Sequence, residues 1–385
     1  MTMNHALRGK SAIVGLGVAG LGESPGFTSW DIMAQSAQKA LADAGLALKD
    51  VDGLFCAMME DSMPVLMAAE YLGIRPRYVD GTLTGGSSFV NYLASATAAL
   101  DAGLCDVALV CYGSNQRTAS GKLVTASRLP PYEAPYKPRY PVSGYAMAAQ
   151  QHMHKYGTTR EQLADVAVAA RGWATHNREA FMRDPITRKD VLASRMVSDP
   201  LSKLDCCLVT DGGGAMVLTR ADRAKDHAKT PVYVLGVAAE STHRQISQMP
   251  DFTVTAAVES GKRAFAMAGV KPSDIDVLEL YDAFTINTIL FLEDLGYCAK
   301  GEGGAFVADG RIAPGGSLAV NTNGGGLSCT HPGMYGIFTV IEAAHQIRGT
   351  APGIQLEGVD LALAHGNGGV LSSQVTAILG SEATL

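Results

Sequence analysis

The chain has 385 residues, 47% of them hydrophobic and 18% charged, with a formal charge of −6. At about 150 residues per domain this length predicts two or three folded units. So apolar a chain is not disordered, and it lacks the basic surplus that holds a nucleic acid backbone. No run approaches the length of apolar sequence that spans a bilayer, and Met1 to His5 open no leader-like basic and apolar stretch. A cytoplasmic protein is expected. Seven cysteines, with no C-x-x-C pair among them, fit that compartment and argue against a zinc or thioredoxin motif.

In chain order, residues 11–18 read as a buried strand and 30–44 as a helix stopped by Gly45. A short strand follows at 51–56 and a helix at 63–72, closed by Gly73. The small-residue turn 81–88 feeds a helix at 89–102, and 105–112 is again a strand. Strands alternating with helices predict an α/β sheet with mostly parallel strands. From 114 to about 203 the pattern breaks, and the proline-rich stretch 129–141 is neither helix nor central strand. Helical segments at 145–156, 160–177 and 190–193 make this region a long insertion, a common place for substrate contacts.

The regular alternation resumes with strands at 214–219 and 232–240, a helix at 254–268, a strand at 277–281 and a helix at 284–295. A helix at 331–348 and strands at 359–364 and 370–379 complete it. The second half repeats the first. Residues 40–45 (ALADAG) are followed by Val51-Asp52, and residues 264–269 (AFAMAG) by Ile275-Asp276, with the same step between them. A duplicated domain is the reading. Its units are 1–113 with 204–225, an inserted loop domain at 114–203, and 226–385.

Four passages carry a resemblance to the thiolase superfamily. Residues 205–214 (DCCLVTDGGG) are similar to its TDGA passage. Tyr281-Asp282-Ala283-Phe284 stands where thiolases have NEAF, or HDCF in the sterol-carrier-protein type. Residues 321–336 (NTNGGGLSCTHPGMYG) resemble the glycine-rich turn before GHP. His365-Gly366-Asn367-Gly368-Gly369 stands where they have CxGG or HNxGG. The fold this implies is α/β, a duplicated domain with mixed five-stranded sheets and an inserted loop domain. Both catalytic cysteines of a thiolase are missing: Leu83 falls at the nucleophile position, and neither HGNGG nor YDAF contains a cysteine.

Cysteine-less members of the superfamily include aldolases of steroid side-chain degradation, which split a β-hydroxyacyl-CoA by a retro-aldol reaction. A thiolase of anaerobic toluene degradation is the second comparison. The resemblance implies a coenzyme A thioester substrate, no covalently bound cofactor, no metal in this chain, a homodimer, and a small zinc-ribbon/OB-fold partner. Thiolysis of a β-ketoacyl-CoA by CoA itself, or a non-catalytic acyl-CoA-binding subunit, are the alternatives.

Within that framework Tyr281, at a strand end, is the candidate base for the β-hydroxyl proton; a phenol merely packed there competes. His331 is read as opening a helix whose N-terminus keeps the imidazole neutral, as a donor to a thioester oxygen. Tyr335, four residues on, is read as sharing a helix face with it, as a second acid/base group or a core residue. His365 and Asn367 are placed in a turn where Gly366, Gly368 and Gly369 let backbone N–H groups approach a ligand, an oxyanion site unless the turn is simply tight. Gly85, Gly86 and Ser87 open a helix whose N–H groups face substrate or pack at a dimer interface. Asp282 is read as capping the helix that starts at Phe284, with orienting a neighbour as the alternative. The match of residues 15–20 to G-x-G-x-x-G lacks a following helix N-terminus, so no dinucleotide is expected. Two apart, His152 and His154 do not have metal-site spacing, Cys206-Cys207 is a packing pair, and Met58, Met59, Met63 and Met67 line a core or an adaptable interface.

Overall fold

A computed structural model describes residues 6–59, 61–120, 129 and 131–385. Met1 to His5, read above for a leader, and Pro130 of the proline-rich stretch lie outside the described residues. The sheet strands are β1 (Ser11–Gly22), β2 (Gly53–Cys56), β3 (Tyr78–Asp80), β4 (Val107–Ser114) and β5 (Asp211–Arg220). The second set is β6 (Val232–Ser241), β7 (Val277–Leu280), β8 (Ala319–Val320), β9 (Leu361–Gly368) and β10 (Ser373–Gly380). They form one ten-stranded sheet in the order β8-β7-β9-β10-β6-β1-β5-β4-β2-β3.

The two sets pair identically. β1–β5 and β5–β4 are antiparallel, and β4–β2 and β2–β3 parallel. β6–β10 and β10–β9 are antiparallel, and β9–β7 and β7–β8 parallel. Instead of two separate five-stranded sheets, the sets join where Ala12 and Ile13 of β1 meet Tyr233 and Val232 of β6. That pairing satisfies two edges that would otherwise carry free N–H and C=O groups.

Helices α1 (Ser29–Ala44), α2 (Pro64–Leu72), α3 (Ser88–Asp101), α4 (Val142–Tyr156) and α5 (Arg160–Thr175) follow the expected segments closely. So do α6 (Arg188–Ala193), α7 (Ala257–Ala268), α8 (Thr285–Asp294) and, more loosely, α10 (Gly336–Arg348), whereas the short α9 (Gly303–Val307) matches no expected segment. The Ala-Gly signature has a common physical cause: Gly45 and Gly269 end α1 and α7 at φ 73° and 72°, where a side chain is strained. α1 packs on β1, β4 and β5 and α7 on β6 and β10, while α3 and α10 touch each other and strands of both sets. The layering is therefore helix, sheet, helix, sheet, helix. Strands covered on both faces are apolar throughout, which is why they read as continuous runs.

The glycines of residues 15–20 serve this packing. A Cβ on Gly15 would lie 2.1 Å from Ala40 O, and one on Gly17 would lie 2.4 Å from Ser36 O, so α1 sits directly on β1. Two expectations fail near the site. The expected helix 331–348 begins only at Gly336, because Pro332 and Gly333 (φ 91°) turn the chain before it. β9 runs through Gly368, so His365 and Asn367 lie in a strand and the turn is residues 369–372. β8 has two residues, too few for a periodic signal. Among the described residues no helix is long and apolar enough to cross a membrane.

Candidate active site

β7 stops at Leu280, but the next residue keeps the ladder: Tyr281 N–H donates to His365 O at 3.1 Å. The Tyr281 ring lies against the N-terminal turn of α3, where a Cβ on Gly86 would be 2.1 Å from its Cε2. Its hydroxyl accepts from the Tyr335 N–H at 3.0 Å. The acceptor available for its own proton, Gly333 O, is 3.4 Å away, a weak bond. Tyr335 and His331 stand edge-on to this ring at 5.6 and 5.5 Å. The structure thus brings Tyr281, His331, Tyr335 and Gly86 together.

His331 does not open a helix. It lies in the buried turn before α10, and its ring stacks on Tyr335 at 6.1 Å. Burial, not a helix N-terminus, keeps the imidazole neutral by pushing its pKa down to about 4. Among the described residues its Nε2 is buried without a partner, an arrangement that a ligand oxygen would satisfy. Tyr335 is fully buried and donates its hydroxyl to Asn323 Oδ1 at 3.1 Å. Burial holds both phenols well above the usual tyrosine range, with the Tyr335 N–H pulling Tyr281 the other way.

Asp282 does not cap α8. Its carboxylate accepts from Gly326 N at 2.6 Å and Leu327 N at 3.3 Å, and so anchors the glycine-rich turn. A Cβ on Gly325 would collide with it at 2.0 Å. Burial lifts this acid to about 7. Asn323 also accepts from Gly325 N at 2.7 Å, so one side chain ties the turn to the Tyr335 hydroxyl.

The remaining expected residues divide. Gly85 (φ 82°) and Gly368 serve close backbone approach within the chain: a Cβ on Gly368 would be 1.7 Å from Thr84 O. Ser87 is buried and bonded to Thr84 O and Ser373 Oγ, each at 3.1 Å. His365 and Asn367 alternate with Gly366, which faces α3, so they point to the opposite face of the sheet from Tyr281. There His365 is closed off, with Nδ1 3.0 Å from Thr376 Oγ1, Nε2 2.9 Å from Gln374 Oε1 and Phe291 against its ring. Asn367 bonds Gln374 and the Tyr145 hydroxyl, each at 2.8 Å. The turn that would have exposed these residues is four residues further on.

Residues 238–381 match the family model "Thiolase C-terminal domain-like". An acetyl-CoA acetyltransferase of Methanothermobacter thermautotrophicus is 34% identical over 93% of this chain and 96% of its own. The 17-hydroxy-3-oxo-4-pregnene-20-carboxyl-CoA lyase of Mycobacterium tuberculosis is 33% identical over 95% and 98%. The chain belongs to the thiolase superfamily. Among solved structures, the Ltp2-ChsH2(DUF35) aldolase superposes with a TM-score of 0.89 and 32% identity over 98% of this chain and 99% of its own.

Leu83, matched from the sequence to the superfamily's nucleophile position, is 48% exposed. Cys207, whose N–H bonds Ala283 O beside Tyr281, is a free thiol that burial pushes well above its ordinary pKa, and Cys329 is the same. Neither supplies a thiolate at neutral pH.

Sequence reading missed Asn323, and it missed a buried acid pair behind it. Thr322 Oγ1 lies 2.8 Å from Glu279 Oε1 and 2.6 Å from Glu342 Oε1. One hydroxyl proton cannot serve two carboxylate oxygens, so one carboxyl carries a proton. Burial raises both acids, with repulsion from Glu342 adding for Glu279 and from Glu179 for Glu342. A folded-state value above the unfolded one stabilises fully below the unfolded value and loses that contribution as pH rises through the folded value. Between pH 7 and pH 9, above the range in which the buried histidines at about 4 and their unfolded counterparts titrate, the melting temperature of the wild type is therefore expected to fall, and that of Glu342→Gln to fall less. Equal slopes in a melting series would refute the shared proton.

Proposed function

We propose that this protein splits the Cα–Cβ bond of a bulky β-hydroxyacyl-CoA by a retro-aldol reaction, with no acyl-cysteine intermediate. The observation that carries the reading is the phenol–imidazole cluster itself: a Tyr281 hydroxyl without a good acceptor, beside a His331 Nε2 without a partner among the described residues. In the reaction, the Tyr281 phenolate takes the β-hydroxyl proton and Cβ–O becomes a carbonyl. The Cα–Cβ electron pair moves onto the thioester, whose oxygen receives the hydrogen bond of neutral His331 in its Nε2–H tautomer. The same proton returns from Tyr281 to Cα. A ketone or aldehyde and a shortened acyl-CoA leave, and the enzyme is unchanged.

The names of the relatives support both this reading and its alternative: one is a lyase of a steroid acyl-CoA, one an acetyltransferase. Thiolysis needs free CoA as nucleophile; retro-aldol cleavage needs none. Product analysis of the purified protein, offered β-hydroxyacyl-CoA and β-ketoacyl-CoA with and without free CoA, separates them. Cleavage of the hydroxy substrate without CoA is expected. Cleavage of the keto substrate with CoA alone would install thiolysis, and no turnover of either would favour a binding subunit.

The assembly we propose is a homodimer, with a small zinc-ribbon/OB-fold subunit as partner. Strand β3 is a sheet edge, and Val79, Leu83, Met63 and Leu66 expose apolar side chains on or near it at 40, 48, 68 and 53%. An apolar edge of this kind suits a second copy. The related aldolase carries a second component in its own name, ChsH2(DUF35). A CoA substrate and seven free thiols suit the cytoplasm. The insertion 114–203, as a unit between the halves 1–113 with 204–225 and 226–385, would select the acyl group.

A further inference from the structure

His331 to Tyr335 carry two site side chains, and the segment is buried except for the half-buried Gly333, yet it belongs to no helix or strand. Buried backbone groups outside regular structure need partners from elsewhere. Here most are side chains, beside one backbone bond from Thr210 N–H to His331 O at 3.4 Å. The His331 N–H donates to Thr210 Oγ1 at 2.9 Å, and Gln116 Nε2 donates to His331 O at 3.0 Å. The Tyr112 hydroxyl donates to Pro332 O and accepts from Met334 N at 3.2 Å. The bond that follows, from Tyr335 N–H, lands on the Tyr281 hydroxyl itself. Gly333 lies beside the same two groups and takes φ 91°, a conformation that a side chain would strain.

The three partners come from the other half of the sheet: Tyr112 from β4, Gln116 from the turn after it, and Thr210 from the residue before β5. Tyr112 is itself fixed, 4% exposed with its ring 5.0 Å from Phe89. Thr210 is buried and held at 2.9 Å from Thr330 Oγ1. We infer that Tyr112, Gln116 and Thr210 are positioning residues: they set, from the first half of the chain, the backbone that aims His331 and the Tyr335 N–H at Tyr281. None of the three touches the reacting atoms. Their effect passes through the place of the imidazole and through the one N–H that a Tyr281 phenolate relies on.

This inference deepens the retro-aldol reading and rests on it for its kinetic test. Tyr112→Phe removes one hydroxyl and so orphans Pro332 O and Met334 N together. Thr210→Val keeps the shape and removes the acceptor for His331 N–H, whereas Thr210→Ser keeps it. With a β-hydroxyacyl-CoA, Tyr112→Phe and Thr210→Val should lower kcat by about 10²-fold, the scale of a displacement of about 1 Å. KM should stay within about threefold, because ground-state contacts are untouched. Thr210→Ser should recover most of the wild-type kcat, which a purely structural threonine would have no reason to demand.

Hydrogen exchange of the peptide covering residues 331–335 gives a readout that needs no turnover. Tyr112→Phe should speed exchange there more than in the rest of the folded protein. Unchanged exchange in this peptide, or a serine variant no better than the valine one, would overturn the clasp. If the wild type cleaves nothing, the retro-aldol reading falls while the exchange comparison still decides the clasp. If Tyr112→Phe does not fold, the Thr210 pair decides it.

Discussion

Tyr281→Phe is expected to lower cleavage of a β-hydroxyacyl-CoA by about 10²–10⁴-fold, the usual worth of a positioned acid/base group. The substitution removes one oxygen from a ring held by Gly86, His331 and Tyr335, so the fold and the binding of acyl-CoA should survive. Because burial holds this phenol well above its ordinary pKa, its phenolate is a minor species at neutral pH. The wild-type rate should therefore climb about tenfold per pH unit on the alkaline side of neutrality, as long as the enzyme stays folded. His331, with a value of about 4, adds no histidine limb between about pH 5 and 8. Paired measurements of kcat against pH and of binding by calorimetry check both parts. A phenylalanine variant that still cleaves would move the base elsewhere, and one that no longer binds would make Tyr281 a packing residue.

Gly86→Ala should be nearly as damaging for a different reason. Gly86 does not adopt a positive φ, so backbone strain is not the issue. The added methyl would sit 2.1 Å from Tyr281 Cε2 and 2.8 Å from its hydroxyl, a clash with the ring itself. The ring has no room to retreat, with Tyr335 and His331 on its edges and its own N–H fixed to His365. Overpacking of this kind costs about 1–3 kcal/mol, and displacing the hydroxyl by about 1 Å costs another 10²-fold in rate. The double variant Gly86→Ala/Tyr281→Ala should regain melting temperature but not activity, a non-additive pair of the sort contacting residues show. Melting curves and turnover of the three variants settle it. Additive losses of stability would mean that the two residues do not meet.

Most of the fold could be read from residue order, because its determinants are local. Apolar runs that end in glycine fix where strands and helices begin and stop, and the repeated Ala-Gly ending in α1 and α7 reflects the same left-handed stop. Reading failed where a local rule met a tertiary contact. His365 and Asn367 stand among glycines, which locally spell a turn. The glycines are there because α3 crosses β9 closely: a Cβ on Gly366 would lie 2.8 Å from Val90 Cγ2. Crowding kept the strand going and turned His365 to the far face. The helix expected from His331 likewise fails for five residues, since side chains of the first half satisfy the backbone that a helix would have satisfied.

By itself, then, the sequence determined the class of fold and its internal repeat, and its resemblance to the thiolase superfamily singled out Tyr281, His331 and Tyr335 as residues of interest. These follow from composition, period and motif, all properties of neighbours along the chain. The tertiary structure alone decided that the three rings meet, that burial rather than a helix dipole neutralises His331, that His365 is sealed in the core, and that Asn323, Tyr112, Gln116 and Thr210 stand around the site. Those outcomes depend on contacts between residues as much as 222 positions apart, and desolvation acts on a group only after such contacts have closed around it.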